Sequence, residues 1–279
     1  MKKIFLLFLI ITLGGCNLSD KKNDHCISNW ALCSIVPIPY TDINRKTIKI
    51  AVLDTGINTK ENNMRKFIKK SYNTFDKSSK TKPINNHGTL ITSLIVNSKH
   101  KNKQIGIKND HVEIYDVQVL DENGKGNTKN TISGIEWSIK NKVDIINISY
   151  GLSKNNISLQ KIIKKAKKNG ILIIAASGNN LDSSTDYPAK YKEVISVSAI
   201  DKKNNIYIYA GMEKVDYLAP GVNIPALNEK GKIEYVTGTS FSTAYVTGLI
   251  ALLRGNLNNN DSIKYININT KKIIQYIGE

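Results

Sequence analysis

Histidine and cysteine are scarce in this chain, and acidic residues are too few to balance the basic ones. Four histidines leave few candidates for an imidazole that acts as a base. Of the three cysteines, Cys16 lies near the start, and Cys26 and Cys33 form an even pair that can bridge a short loop or remain as thiols. No internal repeat and no long linker is present, so the 279 residues fit one main domain.

The shortage of acidic residues gives a formal net charge of +17, and removal of an N-terminal signal with Lys2 and Lys3 lowers it by two. A net charge this positive is typical of proteins that bind nucleic acid. The lysines are scattered along the sequence, however, so we expect no nucleic-acid partner. An anionic membrane or wall surface, or an acidic peptide, fits better. A lysine-rich composition with a solvated surface explains the charge equally well.

The N-terminus combines a basic start, a short apolar core and a small-residue exit. The apolar run of about ten residues is too short to span a membrane as a mature helix, and Leu13-Gly14-Gly15-Cys16 follows it. This pattern resembles a bacterial lipoprotein signal. The resemblance implies that residues 1–15 are removed and that Cys16 becomes a lipid-modified N-terminus on the outer face of the cell membrane. The alternative is ordinary signal cleavage, with no role for Cys16.

Residues 16–45 are polar at first and become partly apolar between Cys26 and Tyr40. Pro37 and Pro39 break regular structure there. So short a segment cannot hold a hydrophobic core of its own. We therefore interpret it as a polar tether between the signal and the main domain.

Short apolar runs alternate with helical patterns over residues 46–279. This alternation predicts an α/β fold in which helices cover both faces of a mainly parallel sheet. The predicted strands are Thr47–Leu53, Val112–Val119, Val143–Ser149, Ile171–Ala176 and Val194–Ala199. The predicted helices are Thr89–Val96, Lys129–Lys140, Ser158–Lys168 and Ser240–Arg254. Later segments have the pattern of antiparallel strands and turns: Asn205–Tyr209, Val215–Leu218 and Ile233–Val236.

Three polar residues stand in glycine-bearing motifs at the ends of these elements. Ser240 begins an apolar helix, where free N–H groups and the helix dipole favour negative charge on an adjacent oxygen. Asp54 ends an apolar strand, and His87 opens another apolar helix. A hydroxyl nucleophile needs a general base, and the base needs a group that orients it. Ser240, His87 and Asp54 supply residue types suited to these three roles. Taken singly, Ser240 and Asp54 have an ordinary alternative as caps.

Five motifs in this order resemble those of the subtilases, the subtilisin-like serine endopeptidases. They are distributed over roughly residues 45–279 and are Val52–Gly56, His87–Thr89, Asn147–Gly151, Ala175–Asn179 and Gly238–Ser240. The resemblance implies a three-layer subtilisin-like fold for residues 46–279. It also implies that Ser240 attacks the scissile carbonyl, that His87 transfers the proton, and that Asp54 orients the imidazole. Asn179 would donate to the oxyanion together with the Ser240 N–H, although a structural asparagine in a turn is the alternative.

The family binds its substrate as a strand between two enzyme segments. The chain matches them at Gly124-Lys125-Gly126 and Ser149-Tyr150-Gly151. Asp186 precedes a Tyr-Pro pair, at the position where the family places the floor of its primary specificity pocket. A carboxylate there predicts cleavage after arginine, and less well after lysine, because a desolvated carboxylate requires a cation. The alternative is an Asp186 that turns to solvent or caps nearby N–H groups.

Three features depart from the family pattern. The family's strong calcium site lies in a loop that here is Asn97–Lys103, which offers lysines instead of carboxylates, so we expect no such site and no cofactor. Secreted members usually carry a propeptide domain, which residues 17–45 are too short to form. Ala244 stands where the family usually has proline.

These features predict a secreted, lipid-anchored and monomeric serine endopeptidase that acts on a peptide or protein substrate. One interpretation is a processing protease that resembles the leader peptidases of lantibiotics, which are bacteriocins, with an acidic leader peptide as a candidate substrate. A second is a broad-specificity scavenging protease. A third is an inactive binding protein, which is disfavoured because the triad and oxyanion residues are all present.

Overall fold

The computed structural model describes residues 29–35, 46–60 and 63–256. The predicted signal, Cys16 and Cys26 lie outside these residues. Cys33 is disulfide-bonded. Within the described part of the chain, no helix combines the length and the apolar character needed to cross a bilayer.

Among the described residues, the main sheet contains seven strands, and every neighbouring pair in it is parallel. Its strands are β1 (Ile48–Asp54), β2 (Ile68–Asn73), β5 (Val112–Gln118), β6 (Ile145–Ile148), β7 (Leu172–Ala176), β8 (Ile195–Ile200) and β9 (Tyr217–Pro220). They are ordered β2-β5-β1-β6-β7-β8-β9. The described part of the chain also contains two small antiparallel pairs: β3 (Lys99–His100) with β4 (Lys103–Gln104), and β10 (Ile224–Leu227) with β11 (Ile233–Val236).

Helices cover both faces of this sheet. They are α1 (Trp30–Ile35), α2 (His87–Ile95), α3 (Thr128–Lys140), α4 (Ile157–Lys168) and α5 (Thr239–Asn256), with a short 3-10 helix at Asn63–Phe67. In β1, Ile50 and Val52 belong to the apolar core that α2 and α5 cover, whereas Ala51 and Leu53 belong to the core under α3 and α4. The strand is apolar on both faces because both are covered. The predicted three-layer α/β fold is confirmed.

The segments beyond residue 199 differ in part from the prediction. The direction predicted for Val215–Leu218 is wrong, because β9 joins β8 as a parallel strand. Asn205–Tyr209 is not a strand but a turn region, with one isolated bridge between Ile206 and Ile200. The carboxylate of Asp201 accepts hydrogen bonds from two backbone N–H groups of this turn and thereby fixes it.

Part of the predicted tether packs on the main domain. In α1, Ala31 is fully buried in the core shared by α2 and α5. Asn29 Nδ2, also buried, donates to the Ile105 carbonyl at 3.1 Å and to Tyr245 Oη at 3.3 Å. The interpretation of residues 16–45 as a polar tether is therefore wrong for residues 29–35, because apolar side chains at helical spacing dock this turn on the domain.

Candidate active site

Asp54 and His87 form a hydrogen-bonded pair at the carboxyl edge of the sheet. Asp54 ends β1 with its side chain 1% exposed, whereas the side chain of His87, the first residue of α2, is 26% exposed. His87 Nδ1 lies 2.8 Å from Asp54 Oδ1 and 3.0 Å from Asp54 Oδ2. The N–H of Thr55 donates to Asp54 Oδ1 at 2.7 Å and holds the carboxylate in place. A buried carboxylate thus orients an imidazole that still reaches solvent.

The loop before α2 fixes the distance between His87 and β1. The Thr55 hydroxyl donates to the Asn85 carbonyl at 3.0 Å and accepts from the Gly88 N–H at 3.0 Å. The Asn85 side chain accepts from the His87 N–H at 2.9 Å. A Cβ on Gly88 would lie 2.5 Å from the Gly56 carbonyl oxygen, so a larger residue would push the helix away from the strand. Thr55 and Asn85 are positioning residues that the sequence analysis did not identify.

The environment of His87 favours its charged form. Burial lowers the pKa of His87, but the negative charge of Asp54 and its hydrogen bond to the ring raise it, and the net pKa lies above the ordinary 6.5. A general base must be neutral to accept a proton. Catalysis by this imidazole therefore requires a pH above that raised pKa.

Ser240 is the second residue of α5, whose start packs near the same histidine. The ring of the next residue, Phe241, is 5.7 Å from the His87 ring. The Ser240 hydroxyl donates to the Ser149 carbonyl at 2.6 Å, which is its hydrogen-bond partner among the described residues. Catalytic hydrogen bonds are often formed only when substrate is bound, so this hydroxyl is compatible with a proton transfer to His87 in the complex.

A buried chain of hydrogen bonds joins α5 to the end of β6. The Thr247 hydroxyl donates to Asn147 Oδ1 at 2.8 Å, and Asn147 Nδ2 donates to Ser149 Oγ at 2.9 Å. Ser149 Oγ in turn donates to the Ser240 carbonyl at 3.0 Å. Because each polar group is paired, the chain fixes the position of the nucleophile relative to the sheet. Asn147 belongs to a motif found in the sequence, but nothing in the sequence indicated Thr247.

Asn179 follows β7 and is oriented by the start of α5. Its Oδ1 accepts from the Thr239 N–H at 3.0 Å, and the Thr239 hydroxyl donates to the Gly178 carbonyl at 3.2 Å. With the oxygen engaged in this way, the amide nitrogen of the exposed side chain is left as a donor. This geometry fits an oxyanion donor next to Ser240.

The two predicted substrate-binding segments lie next to each other. Gly126 forms a bridge with Leu120, and a Cβ on Gly126 would lie 3.4 Å from the Tyr150 ring. The Tyr150 hydroxyl shares a hydrogen bond with Thr131 Oγ1 at 2.9 Å. Gly124 has φ +72, a conformation that favours glycine, and exposed Lys125 stands between the two glycines.

Asp186 lies between two glycines of the predicted specificity pocket. A Cβ on either Gly151 or Gly178 would collide with Asp186 Oδ2, so the carboxylate points inward between the two segments. Asn180 Nδ2 donates to Asp186 Oδ1 at 3.0 Å. Among the described residues no cation forms a salt bridge with Asp186. Burial and the charge of Asp182 raise the pKa of this carboxyl, and the hydrogen bond from Asn180 opposes the rise.

A second buried carboxyl lies on the strand next to Asp54. Asp116 of β5 accepts from the Thr81 hydroxyl through Oδ2 at 2.5 Å, and so holds the loop that leads to His87. Burial raises the pKa of Asp116 to about 7, although the hydrogen bond from Thr81 acts to lower it. Nothing in the sequence indicated Asp116, which lies in a strand that also contains Glu113 and Gln118.

A side-chain amide closes the loop in which the family binds calcium. Gln104 Nε2 donates to Asn97 Oδ1 at 3.0 Å, to the Ser98 carbonyl at 3.2 Å and to the Gly106 carbonyl at 2.8 Å. Three oxygens thus converge on an uncharged donor. A dication could use these oxygens only by displacing Gln104.

A parallel sheet, a buried aspartate paired with a histidine and a serine at the start of a central helix are typical of serine hydrolases with a three-layer α/β fold. Residues 45–276 match the model of the subtilase family, Peptidase S8. The chain belongs to this family, whose members are serine endopeptidases.

Individual relatives agree with this assignment. The chain is 35% identical over 211 residues to the minor extracellular protease Epr of Bacillus subtilis, covering 75% of this chain and 32% of Epr. It is 30% identical over 217 residues to subtilisin DY of Bacillus licheniformis, covering 74% and 76% of the two chains. The crystal structure of a cold adapted subtilisin-like serine proteinase superposes with a TM-score of 0.71 at 26% identity, covering 81% of this chain and 85% of that one.

Several of these relatives are longer. The chain spans 32% of the length of Epr and 56% of the length of subtilisin E of Bacillus subtilis.

Proposed function

We propose that the protein is a secreted, membrane-anchored serine endopeptidase that processes a precursor by cleaving after arginine, and less well after lysine. Asp186, held inward between Gly151 and Gly178 without a described cation partner, carries the proposal. Family membership supports the reaction, and the name of Epr as an extracellular protease supports secretion. The basic surface is compatible with an acidic leader peptide as substrate.

The chemistry follows from the arrangement of the triad. Ser240 Oγ forms a bond to the scissile carbonyl carbon while its proton passes to His87. Asn179 and the Ser240 N–H donate to the oxyanion that develops, and His87 then protonates the amine that leaves. Water, deprotonated by the same imidazole, releases the acyl group and restores Ser240. Asp54 stabilises the imidazolium at each stage.

The environment of Asp186 favours a basic P1 side chain. A partly desolvated carboxylate gains most from a cation that reaches it, and a guanidinium can make two parallel charge-assisted hydrogen bonds. A lysine brings one point charge, so it should be the weaker substrate. A large apolar side chain would leave the carboxylate desolvated and unpaired.

We expect Asp186→Asn to lower kcat/KM for an Arg P1 peptide by about 30-fold, roughly 2 kcal/mol, while a matched Phe P1 peptide changes little or improves. Asparagine keeps the shape and the acceptor for Asn180 but removes the charge. In the wild type, the Arg:Phe ratio should fall as the pH drops, because protonation of Asp186 removes the same charge. Steady-state kinetics on both peptides provide the measurement.

Asp182 provides the matched control for this prediction. It is an exposed acidic residue of the same loop, so Asp182→Asn removes one charge outside the pocket. This change should alter the Arg:Phe ratio by less than about twofold. A wild-type preference for Phe, or an Asp186→Asn variant that keeps its Arg preference, would favour the broad-specificity scavenging protease instead.

We expect Cys16 to be acylated, so that the mature protein sediments with membranes. The pattern Leu13-Gly14-Gly15-Cys16 motivates this expectation, and several acyl chains hold a protein on a bilayer more stably than one chain does. Mass spectrometry of the mature N-terminus checks it. The anchor is refuted by an unmodified N-terminus at another residue, or by a Cys16→Ala protein that still sediments with membranes.

We propose that stability is independent of calcium at the Asn97–Lys103 loop and depends on Gln104 instead. Gln104→Ala removes the side-chain donor to Asn97 Oδ1 and to the Ser98 and Gly106 carbonyls, and should cost about 1–3 kcal/mol of unfolding free energy. A Gln160→Ala control on α4 should change it by less than about 0.5 kcal/mol. Urea unfolding with and without a chelator gives both results. A chelator that lowers the wild-type Tm by more than about 10 °C would show that a strong calcium site exists.

A further inference from the structure

A groove of about 760 Å³ lies at the β2 edge of the sheet, two strands away from β1 and its Asp54. Strand β2, the C-terminal end of α3 and the loop after β2 form its walls, and we call it the β2 groove. No acidic residue occurs among the described residues that line it. Its basic lining residues are Arg65, Lys69, Lys70, Lys77 and Lys140.

Most of the positive charge in the β2 groove is not neutralised by described carboxylates. Lys69 pairs with Glu113 at 3.1 Å. Lys70 Nζ donates to the neutral side chain of Asn141 at 2.8 Å. Apart from Lys69, the basic residues of the groove form no salt bridge within the described ranges. Like charges gathered around a concave, partly apolar surface focus the positive potential there and attract an anion.

Two aromatic rings also line the β2 groove and give it apolar surface. Tyr72 of β2 stacks on Trp137 of α3, with the ring centroids 5.3 Å apart and the planes inclined by 3°. Together with Ile68, these rings give the groove an apolar wall beside its cations. A flat bilayer surface cannot follow a concave wall, whereas an extended chain can lay apolar side chains on it and present carboxylates to the lysines.

We propose that the β2 groove binds an acidic, extended segment of the protein substrate at a distance from the bond that is cut. The inference rests on the proposed function for the identity of the ligand as substrate. Charge complementarity selects an acidic segment, and a volume of about 760 Å³ suits a short peptide or a comparable ligand. A segment held there raises the effective concentration of the cleavage site near Ser240, so it lowers KM more than it raises kcat.

Binding is tested on the full chain with Ser240→Ala, which prevents cleavage of the probe. The probe is a fluorescent, glutamate-rich peptide of about ten residues, followed by anisotropy at low and high salt. Combined Lys70→Gln, Lys77→Gln and Lys140→Gln should weaken binding about tenfold or more. The control, Lys161→Gln, Lys164→Gln and Lys168→Gln on α4, removes the same charge from another surface and should change binding by less than about twofold.

Equal losses in the two triple variants would overturn the proposal, because net charge alone would then explain binding. No measurable binding of the peptide would also overturn it. So would a groove variant that keeps its peptide affinity but loses binding to phosphatidylglycerol vesicles, because the groove would then bind a lipid surface.

Cleavage assays separate this inference from the proposed function. Two substrates share one Arg cleavage site, and one of them carries an acidic extension. The extension should lower KM in the wild type and in the α4 control but not in the groove variant, while all three cleave the short substrate equally. If neither substrate is cleaved, the proposed function fails. The anisotropy result still decides whether the β2 groove binds an acidic peptide.

Discussion

A Ser240→Ala variant should lose about 10⁶ in kcat, a magnitude established on subtilisin itself and carried over here on the proposal that Asp54, His87 and Ser240 form the triad. Alanine removes the oxygen that attacks the carbonyl, and the Asp54–His87 pair then has no hydroxyl to activate. The oxyanion donors remain, so about 10³–10⁴-fold acceleration over water should persist. Active-site labelling with a fluorophosphonate should modify the wild type and leave the variant unmodified.

The structure predicts that this loss is chemical and not a loss of fold. The Ser240 hydroxyl makes one hydrogen bond, to the Ser149 carbonyl, so its removal should cost about 1 kcal/mol of stability. Ser242→Ala is the matched control, because its buried hydroxyl likewise donates to one carbonyl, that of Ala219, at 2.9 Å. The two variants should have similar Tm values, and only Ser240→Ala should be inactive. A wild type that does not react with the fluorophosphonate would favour an inactive binding protein.

The sequence alone predicted those residues whose position depends on the residues adjacent to them in the chain. Asp54 ends an apolar run, His87 opens a helix, and Ser240 follows a glycine at the start of another helix. The hydrophobic periods that predict these elements also predict which end of each element reaches the sheet edge. The local patterns thus place all three residues at one edge, and the structure joins Asp54 to His87 as expected.

The residues that support the site could not be predicted because their partners are distant in the chain. Thr247 has no distinctive sequence pattern, and its hydrogen bond to Asn147 forms only in the folded chain. Likewise, the Gln104 amide finds its three acceptor oxygens only when the loop is folded. Strand β2 was missed because its lysines obscure the period-two pattern of a strand. It is recognisable as the edge of the sheet only when its pairing with β5 is known.

An Asp54→Asn variant should lower kcat about 10⁴-fold at neutral pH, the size of effect known for this change in another serine protease triad. Asparagine should keep an oxygen for the Thr55 N–H and replace the other oxygen, 3.0 Å from His87 Nδ1, by an NH₂ that donates to this nitrogen. That arrangement selects the tautomer whose Nε2 carries a proton, which cannot accept one from Ser240.

The pH dependence distinguishes this orienting role from simple damage to the site. In the wild type, the charge and hydrogen bond of Asp54 raise the pKa of His87, so kcat/KM should increase with pH through a value above 6.5. Without that charge the burial of His87 dominates, and the inflection should move below 6.5. Asp116→Asn is the matched control, since it removes a neighbouring buried carboxyl that makes no hydrogen bond to the triad, and its kcat should stay within about threefold of wild type. If Asp54→Asn retained an inflection above 6.5, the Asp54 carboxylate would not be the group that sets the basicity of His87.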